Sequence, residues 1–85
     1  MMQRILVIGA TGMLGHKVVQ RLSARFAVTA TVRGSALPDH PAVRVSLAGA
    51  ELIYNVDVQN RHNLEQAISN AAPHVVINAV GVVKQ

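Results

Sequence analysis

Residues 5–15 of the sequence read ILVIGATGMLG, in which four apolar residues lead directly into three glycines spaced three apart, Gly9, Gly12 and Gly15. Glycine inside a helix or strand costs about 0.5–1 kcal/mol relative to alanine. Three glycines between an apolar strand and a helix therefore require a compensating role. The free amides at the start of a helix, together with the positive end of its dipole, form an anion site that can supply this role.

Four short runs rich in apolar and β-branched residues predict strands. The first is apolar without alternation, which is typical of a strand buried on both faces of a parallel sheet. The predicted strands cover residues 4–8, 26–32, 52–56 and 74–80.

A helix is predicted over residues 14–25, where apolar side chains recur at helical spacing and basic side chains occupy the other side. Positive charge near the end of this segment suits the helix dipole. The predicted apolar stripe comprises Leu14, Val18 and Leu22, widened by Met13 and Val19.

A second helix is predicted over residues 61–71, with Asn60 as its N-cap and Pro73 as its stop. The intervening residues 33–50 contain two prolines, two glycines and little periodicity. We therefore predict a loop there, with at most a short irregular helix near 46–50.

The alternation of strands and helices predicts an α/β fold with a parallel sheet and right-handed crossovers. Strand order 3-2-1-4 is the usual arrangement for the N-terminal half of a doubly wound Rossmann sheet. The fourth strand would then lie at an edge with apolar side chains such as Val75 and Ile77. Because exposed apolar edges invite pairing, we expect this one to promote self-association.

The predicted arrangement of strands and helices gives each glycine a role. Gly9 would allow a sharp turn after the first strand, Gly12 would leave room for a phosphate at the helix start, and Gly15 would let helix and sheet pack closely. The first gap is one residue longer than in the common Gly-x-Gly-x-x-Gly fingerprint. The alternative is a turn that only reverses the chain. A Walker-type phosphate loop is excluded, because no Gly-Lys-Ser/Thr follows.

The segment GATGMLG, residues 9–15, resembles the cofactor loop of the extended short-chain dehydrogenase/reductase superfamily. Three segments are similar to the dTDP-4-dehydrorhamnose reductase group of sugar-nucleotide enzymes: GATGMLGHKVVQ at 9–20, VDV at 56–58 and PHVVINAVGVVKQ at 73–85. The resemblance covers nearly the whole chain. It implies that residues 1–85 are an NAD(P)-binding half-domain of a sugar-nucleotide reductase or epimerase.

The end of the second strand predicts which dinucleotide is preferred. An acid there favours NAD, whereas an arginine accommodates the 2′-phosphate of NADP. Here Arg33 follows the strand and no acid occurs before Asp39. We therefore expect NADP, with NAD as the alternative. A solvated loop arginine is the other interpretation of Arg33.

The resemblance implies the remaining cofactor contacts. Asp57 and Val58 would flank the adenine, although Asp57 could instead only begin the turn before the second helix. Small residues after the fourth strand would pass under the ribose and pyrophosphate, and we interpret Asn78 as a buried structural amide. The predicted cofactor-binding residues are Gly9, Thr11, Gly12, Met13, Leu14, Gly15, Arg33, Asp57, Val58, Ala79, Val80 and Gly81.

No catalytic residue is predicted in the chain. The superfamily transfers hydride with the help of a Tyr-x-x-x-Lys pair, but the only tyrosine, Tyr54, is followed four residues later by Val58. The first hypothesis is that the chain is the N-terminal part of an enzyme acting on a nucleotide sugar. The second is a non-catalytic regulatory module that acts through a protein partner, as does the similar regulatory β subunit of methionine adenosyltransferase. Lys84 and Gln85 resemble a VKQ segment near the family's active site and receive no role.

The amino-acid composition bears on whether the chain binds nucleic acid, spans a membrane or holds a metal. The 85 residues carry a net charge of +4 from scattered basic residues, and there are only two aromatic side chains. Nucleic-acid binding is therefore not expected. No apolar run has the roughly 20 residues needed to span a membrane, and cysteine is absent, so a cytoplasmic location is expected. The four histidines lack metal-ligand spacing, and surface or structural roles are expected for them.

Overall fold

A computed structural model of the protein describes residues 2–80. Strands and helices alternate along this part of the chain, and none of its helices is both long and apolar enough to cross a membrane. The elements are β1 (Arg4–Ile8), α1 (Met13–Ser23), β2 (Ala27–Thr31), α2 (Pro41–Leu47), β3 (Glu51–Ile53), α3 (Arg61–Ala71) and β4 (Val75–Asn78).

The strands form one parallel sheet in the order β3-β2-β1-β4, which confirms the predicted topology. In the register, Ile5 of β1 lies between Val28 of β2 and Val75 of β4. β1 is therefore an interior strand. Leu6 and Val7 in its centre are fully buried, as expected for a strand covered on both faces.

Successive side chains of β1 pack on opposite faces of the sheet. Leu6 and Ile8 point to the face on which α3 packs. Ile5 and Val7 point to the face of α1 and α2, where the main apolar cluster lies. The buried members of that cluster are Ile5, Val7, Ala10, Val19, Val28, Ala30, Val43 and Leu47.

The predicted loop over 33–50 is wrong in part, because α2 occupies residues Pro41–Leu47. Pro41 starts the helix, where its fixed φ is helical and its missing N–H is not needed. Val43 and Leu47, one turn apart, are both buried in the apolar cluster where α2 packs on α1. The proline that suggested a loop is thus a helix-start signal, and the predicted irregular helix near 46–50 lies too late in the sequence.

The apolar stripe predicted for α1 is also partly wrong. Gly15 and Val19 are buried, whereas Met13 is 89% exposed and Leu14 is 50% exposed. Because Gly15 packs closely on the sheet, the first turn of the helix is oriented with Gly15 toward the core. The large apolar side chains of Met13 and Leu14 therefore point away from the core. The helix ends at Ser23, two residues before the predicted end.

Both ends of α3 lie where the sequence predicts them. The Asn60 side chain accepts a hydrogen bond from the Asn63 amide at 3.1 Å, which is the expected N-cap. At the other end, Ala72 adopts a left-handed conformation with φ 46°, and its carbonyl accepts from the Arg4 Nε at 2.7 Å. His74 Nδ1 accepts from the Arg4 amide at 2.9 Å. These bonds tie the end of α3 to the start of β1.

The last two strands are shorter than predicted. β3 ends at Ile53, because Asn55 turns the chain with φ 62° and donates its amide to the Gly34 carbonyl at 2.9 Å. β4 ends at Asn78, whose side-chain oxygen accepts from the Val80 amide at 2.9 Å and closes a turn. Asn78 is exposed, so its interpretation as a buried amide is wrong, although its role is structural.

The two edges of the sheet differ in character. The β3 edge is three residues long and begins with Glu51. The β4 edge consists of Val75, Val76, Ile77 and Asn78, without a charge or a proline. Val75 and Val76 remain about four-tenths exposed. The expected apolar edge is therefore present at β4, and it lacks the charges that usually protect edge strands.

This edge predicts association of the 85-residue chain at high concentration. Val75→Lys places a charge on the edge and should shift the sedimentation profile toward the monomer, because an unpaired lysine opposes strand pairing. Val45→Lys, on the exposed surface of α2, is the matched control and should leave association unchanged. A wild-type chain that sediments as a monomer at every concentration would contradict the prediction.

Candidate functional site

A groove of about 300 Å³ lies at the carboxyl ends of the strands. The chain leaves β1 toward α1 on one face of the sheet, whereas the connection from β3 to β4 passes over the other face through α3. The groove therefore opens where the strand order reverses direction, the usual ligand position in open α/β sheets. It is lined by Gly9, Thr11, Gly12, Thr31, Arg33, Val56, Asp57, Val58, Gln59, Ala79 and Val80.

Gly9 makes the turn out of β1. Its φ is +82°, a conformation that favours glycine. A Cβ on Gly9 would lie 3.0 Å from the backbone nitrogen of Val80 and 2.6 Å from its side chain. The loop after β1 and the residues after β4 therefore pack directly against each other, and both border the groove.

Gly15 provides the close contact between α1 and β1. A Cβ there would overlap the carbonyl oxygen of Gly9 and would lie 2.9 Å from the Cα of Ala10. Only a residue without a side chain lets the helix approach the strand end this closely. This is the packing role expected from the sequence.

Gly12 is the N-cap of α1 and faces open space. The nearest heavy atom to a Cβ built on it, beyond its chain neighbours, is the Gly9 carbonyl oxygen at 3.6 Å. Packing within the protein therefore does not require glycine here. Gly12 offers no side-chain cap and no acidic residue occupies the first turn, which leaves the positive end of the helix dipole available to an anion.

Thr31 fixes the glycine loop from the neighbouring strand. Its hydroxyl oxygen accepts a hydrogen bond from the Gly9 amide at 3.3 Å, and its carbonyl accepts from the Ala10 amide at 3.4 Å. The side chain is buried and also borders the groove. Sequence reasoning missed Thr31, and the only signal was a polar β-branched residue at the end of a strand.

Arg33 lies two residues beyond the end of β2, exposed and at the border of the groove. Within residues 2–80 the ion pair is that of Arg61 with Glu65, on the surface of α3, so no carboxylate of this part of the chain neutralises Arg33. The residue is therefore placed to meet a negative charge in the groove. Its position does not serve the packing of the sheet.

Asp57 has a structural role as well as a place at the groove. One carboxylate oxygen accepts from the Gln59 amide at 3.0 Å, and its carbonyl accepts from the Asn60 amide at 3.0 Å. Its own amide donates to the Asn63 side chain. Asp57 thus shapes the turn before α3, as one of the two interpretations held, and it borders the groove beside Val58.

The groove brings together eight of the twelve predicted cofactor-binding residues. Met13 and Leu14 lie next to it on the first turn of α1, and Gly15 is buried behind it. Gly81, like Lys84 and Gln85, lies outside the described residues. The lining residues that sequence reasoning missed are Thr31, Val56 and Gln59.

Comparison with protein families gives one match over nearly the whole chain. Residues 5–85 match the model of the NAD dependent epimerase/dehydratase family. The chain belongs to this family. No curated protein sequence shows significant similarity to it.

Several solved structures share the fold of this chain. Bordetella bronchiseptica WbmG in complex with NAD superimposes with a TM-score of 0.73 at 21% identity, over 100% of this chain and 27% of WbmG. The first ketoreductase of the tylosin PKS gives 0.72 at 23% identity, over 95% of this chain and 19% of the other. A Veillonella parvula short-chain dehydrogenase/reductase gives 0.63 at 24% identity, over 92% and 35%. The chain spans about a quarter of WbmG, the first of these.

Gly15 in α1 and Gly12 at its N-cap predict losses of different size for the same substitution. Gly15→Ala forces overlap with the Gly9 carbonyl and should lower the free energy of unfolding by about 2 kcal/mol or more. Gly12→Ala enters open space and should cost about 1 kcal/mol or less. Urea denaturation followed by circular dichroism measures both. Equal losses in the two variants would contradict the close contact of helix and strand.

Proposed function

We propose that the chain binds NADP(H) and is the cofactor-binding portion of a sugar-nucleotide oxidoreductase or epimerase similar to dTDP-4-dehydrorhamnose reductase. The observation that carries the proposal is one groove bordered both by the open N-cap Gly12 and by Arg33. The first suits a pyrophosphate and the second suits a further phosphate on the ribose. The expected location is the cytoplasm.

The fit of a dinucleotide depends on the volume of the groove and on the hydrogen-bond donors that border it. The volume of the groove is at the lower end of the range for small-molecule sites. In the proposal the pyrophosphate lies on the amides of Thr11–Leu14, Asp57 and Val58 flank the adenine, and the residues that follow β4 border the ribose. When bound, the nicotinamide supplies or accepts a hydride.

The preference for NADP rests on charge. Arg33 is a planar, permanently charged donor that can bind phosphate through two parallel hydrogen bonds. No acidic residue stands at the end of β2 to bond a ribose 2′-hydroxyl; the next acid along the chain is Asp39. Asp57, the acid that does border the groove, is already bonded to the turn before α3. NADP is therefore favoured over NAD.

The assignment to sugar-nucleotide chemistry rests on family membership and on the three similar segments. One fold relative, WbmG, has been solved in complex with NAD and UDP, at 21% identity and a TM-score of 0.72. The 85 residues contain no Tyr-x-x-x-Lys pair. The groups that exchange a proton with a sugar substrate would therefore be supplied outside these residues.

A second candidate function is a regulatory module that binds a dinucleotide and acts through a protein partner. The two candidates share the cofactor groove and differ in whether the protein turns over a nucleotide sugar. An assay of NADPH oxidation with dTDP-4-dehydro sugars separates them.

Arg33→Ala should weaken NADP binding about ten- to a hundred-fold, because a charge-assisted bond to phosphate contributes about 1.5–3 kcal/mol. NAD binding should be nearly unchanged, since NAD lacks the 2′-phosphate. Isothermal titration calorimetry with both dinucleotides measures the difference. Arg25→Ala, which removes an exposed arginine two residues beyond the end of α1, is the matched control and should alter neither affinity.

Gly12→Val tests the pyrophosphate position in the same titrations. The branched side chain would fill the open space at the N-cap and should abolish binding of both dinucleotides. Unchanged binding in this variant would remove the dinucleotide site. An equal loss of NAD and NADP affinity in Arg33→Ala would contradict only the preference for NADP and would leave the dinucleotide site itself in place.

A further inference from the structure

His16 is a buried histidine that lies beside the glycine loop. It is not among the residues proposed to contact the cofactor. Only 8% of the residue is exposed. Its ring nitrogen Nδ1 lies 2.8 Å from the carbonyl oxygen of Gly12. Because a carbonyl can only accept, Nδ1 must carry the proton and donate. The same carbonyl also accepts from the His16 amide at 3.2 Å.

Two donors from one residue therefore hold the Gly12 carbonyl. In a trans peptide the C=O of one residue and the N–H of the next lie in one plane and point in opposite directions. The described residues contain no cis peptide bond. Fixing the Gly12 carbonyl thus also fixes the direction of the Met13 amide, one of the donors at the start of α1.

Gly12 has no side chain that could hold this peptide, so its other restraints are backbone bonds: the His16 amide donates to its carbonyl, and its own amide donates to the Gly9 carbonyl at 3.3 Å. Gly12 is the N-cap, carries no capping group and lies beside open space. Glycine also has a wider range of allowed backbone angles than any other residue. The His16 ring compensates for that freedom from inside the protein and leaves the groove side empty.

We propose that His16 is a positioning residue of the cofactor site: its ring orients the Gly12–Met13 peptide so that the Met13 amide faces the pyrophosphate. The inference rests on the proposed dinucleotide function. It concerns a residue that does not touch the ligand. A purely structural role would give His16 the same burial but no selective effect on binding through the pyrophosphate.

The first measurement does not depend on any ligand. Nitrogen-15 chemical shifts of the His16 ring in the free protein at pH 8 report which nitrogen is protonated. The Nδ1–H tautomer is expected. The Nε2–H tautomer would show that the ring does not donate to Gly12 and would overturn the inference, whatever the protein binds.

The second measurement compares two ligands in two variants. His16→Leu removes the ring donor and should weaken NADP binding about three- to tenfold, the worth of one neutral hydrogen bond. Adenosine 2′-monophosphate lacks a pyrophosphate, so its affinity should not change. His16→Asn offers a side-chain N–H near the place of Nδ1 and should restore NADP binding.

The outcomes separate the two proposals. Failure of the wild-type protein to bind NADP removes the cofactor function, and the tautomer measurement still decides whether His16 orients the peptide. If the wild-type protein binds NADP and His16→Leu binds it equally well, the positioning role is overturned. The same holds if His16→Leu loses both ligands equally. If His16→Leu does not fold, His16→Asn decides, and a three- to tenfold loss of NADP binding relative to the wild-type protein in that variant overturns the positioning role.

Discussion

The close approach of α1 to the end of β1 is the constraint on which the rest of the structure depends. Gly15 lies so near to Gly9 and Ala10 that a single added carbon would overlap the backbone. This contact sets how α1 lies on the sheet, and hence which of its side chains are buried. It buries Val19 and leaves Met13 and Leu14 exposed on the first turn of the helix. The start of the helix thus points into the groove at the carboxyl ends of the strands.

The neighbouring strands then complete the site through long-range contacts. Thr31 at the end of β2 bonds the Gly9 amide, and Val80 after β4 packs on Gly9 from the other side. The glycine loop is therefore held from both sides, and its open face is that of Gly12. Arg33 adds the positive charge at the β2 border. Apolar packing decides the shape of the site, and a few polar groups decide what it can bind.

Local signals in the sequence predict much of this arrangement. The uninterrupted apolar run of β1, the Asn60 cap of α3 and the alternation of elements lead to the observed sheet order. Gly9 and Gly15 also have the predicted geometry, because each solves a local steric problem. The order of the strands and the position of the groove therefore follow from sequence alone.

The remaining features depend on contacts that no local pattern contains. α2 was hidden because Pro41 serves equally well in a loop and at a helix start. The exposure of Leu14 follows from the depth at which Gly15 packs, and the role of Thr31 follows from its pairing with a residue 22 positions away. The exposure of Asn78 follows from its position on the β4 edge.

The central claim is that the groove at the carboxyl ends of the strands is the dinucleotide site. A second depression at the opposite ends, bordered by Arg4, Gly49 and Glu51, provides an internal comparison. Titration of the nitrogen-15-labelled protein with NADP, followed by amide chemical shifts, tests the claim most directly. The account predicts that the largest shifts occur at Gly12, Met13 and Leu14. Shifts confined to the depression around Glu51 would contradict it.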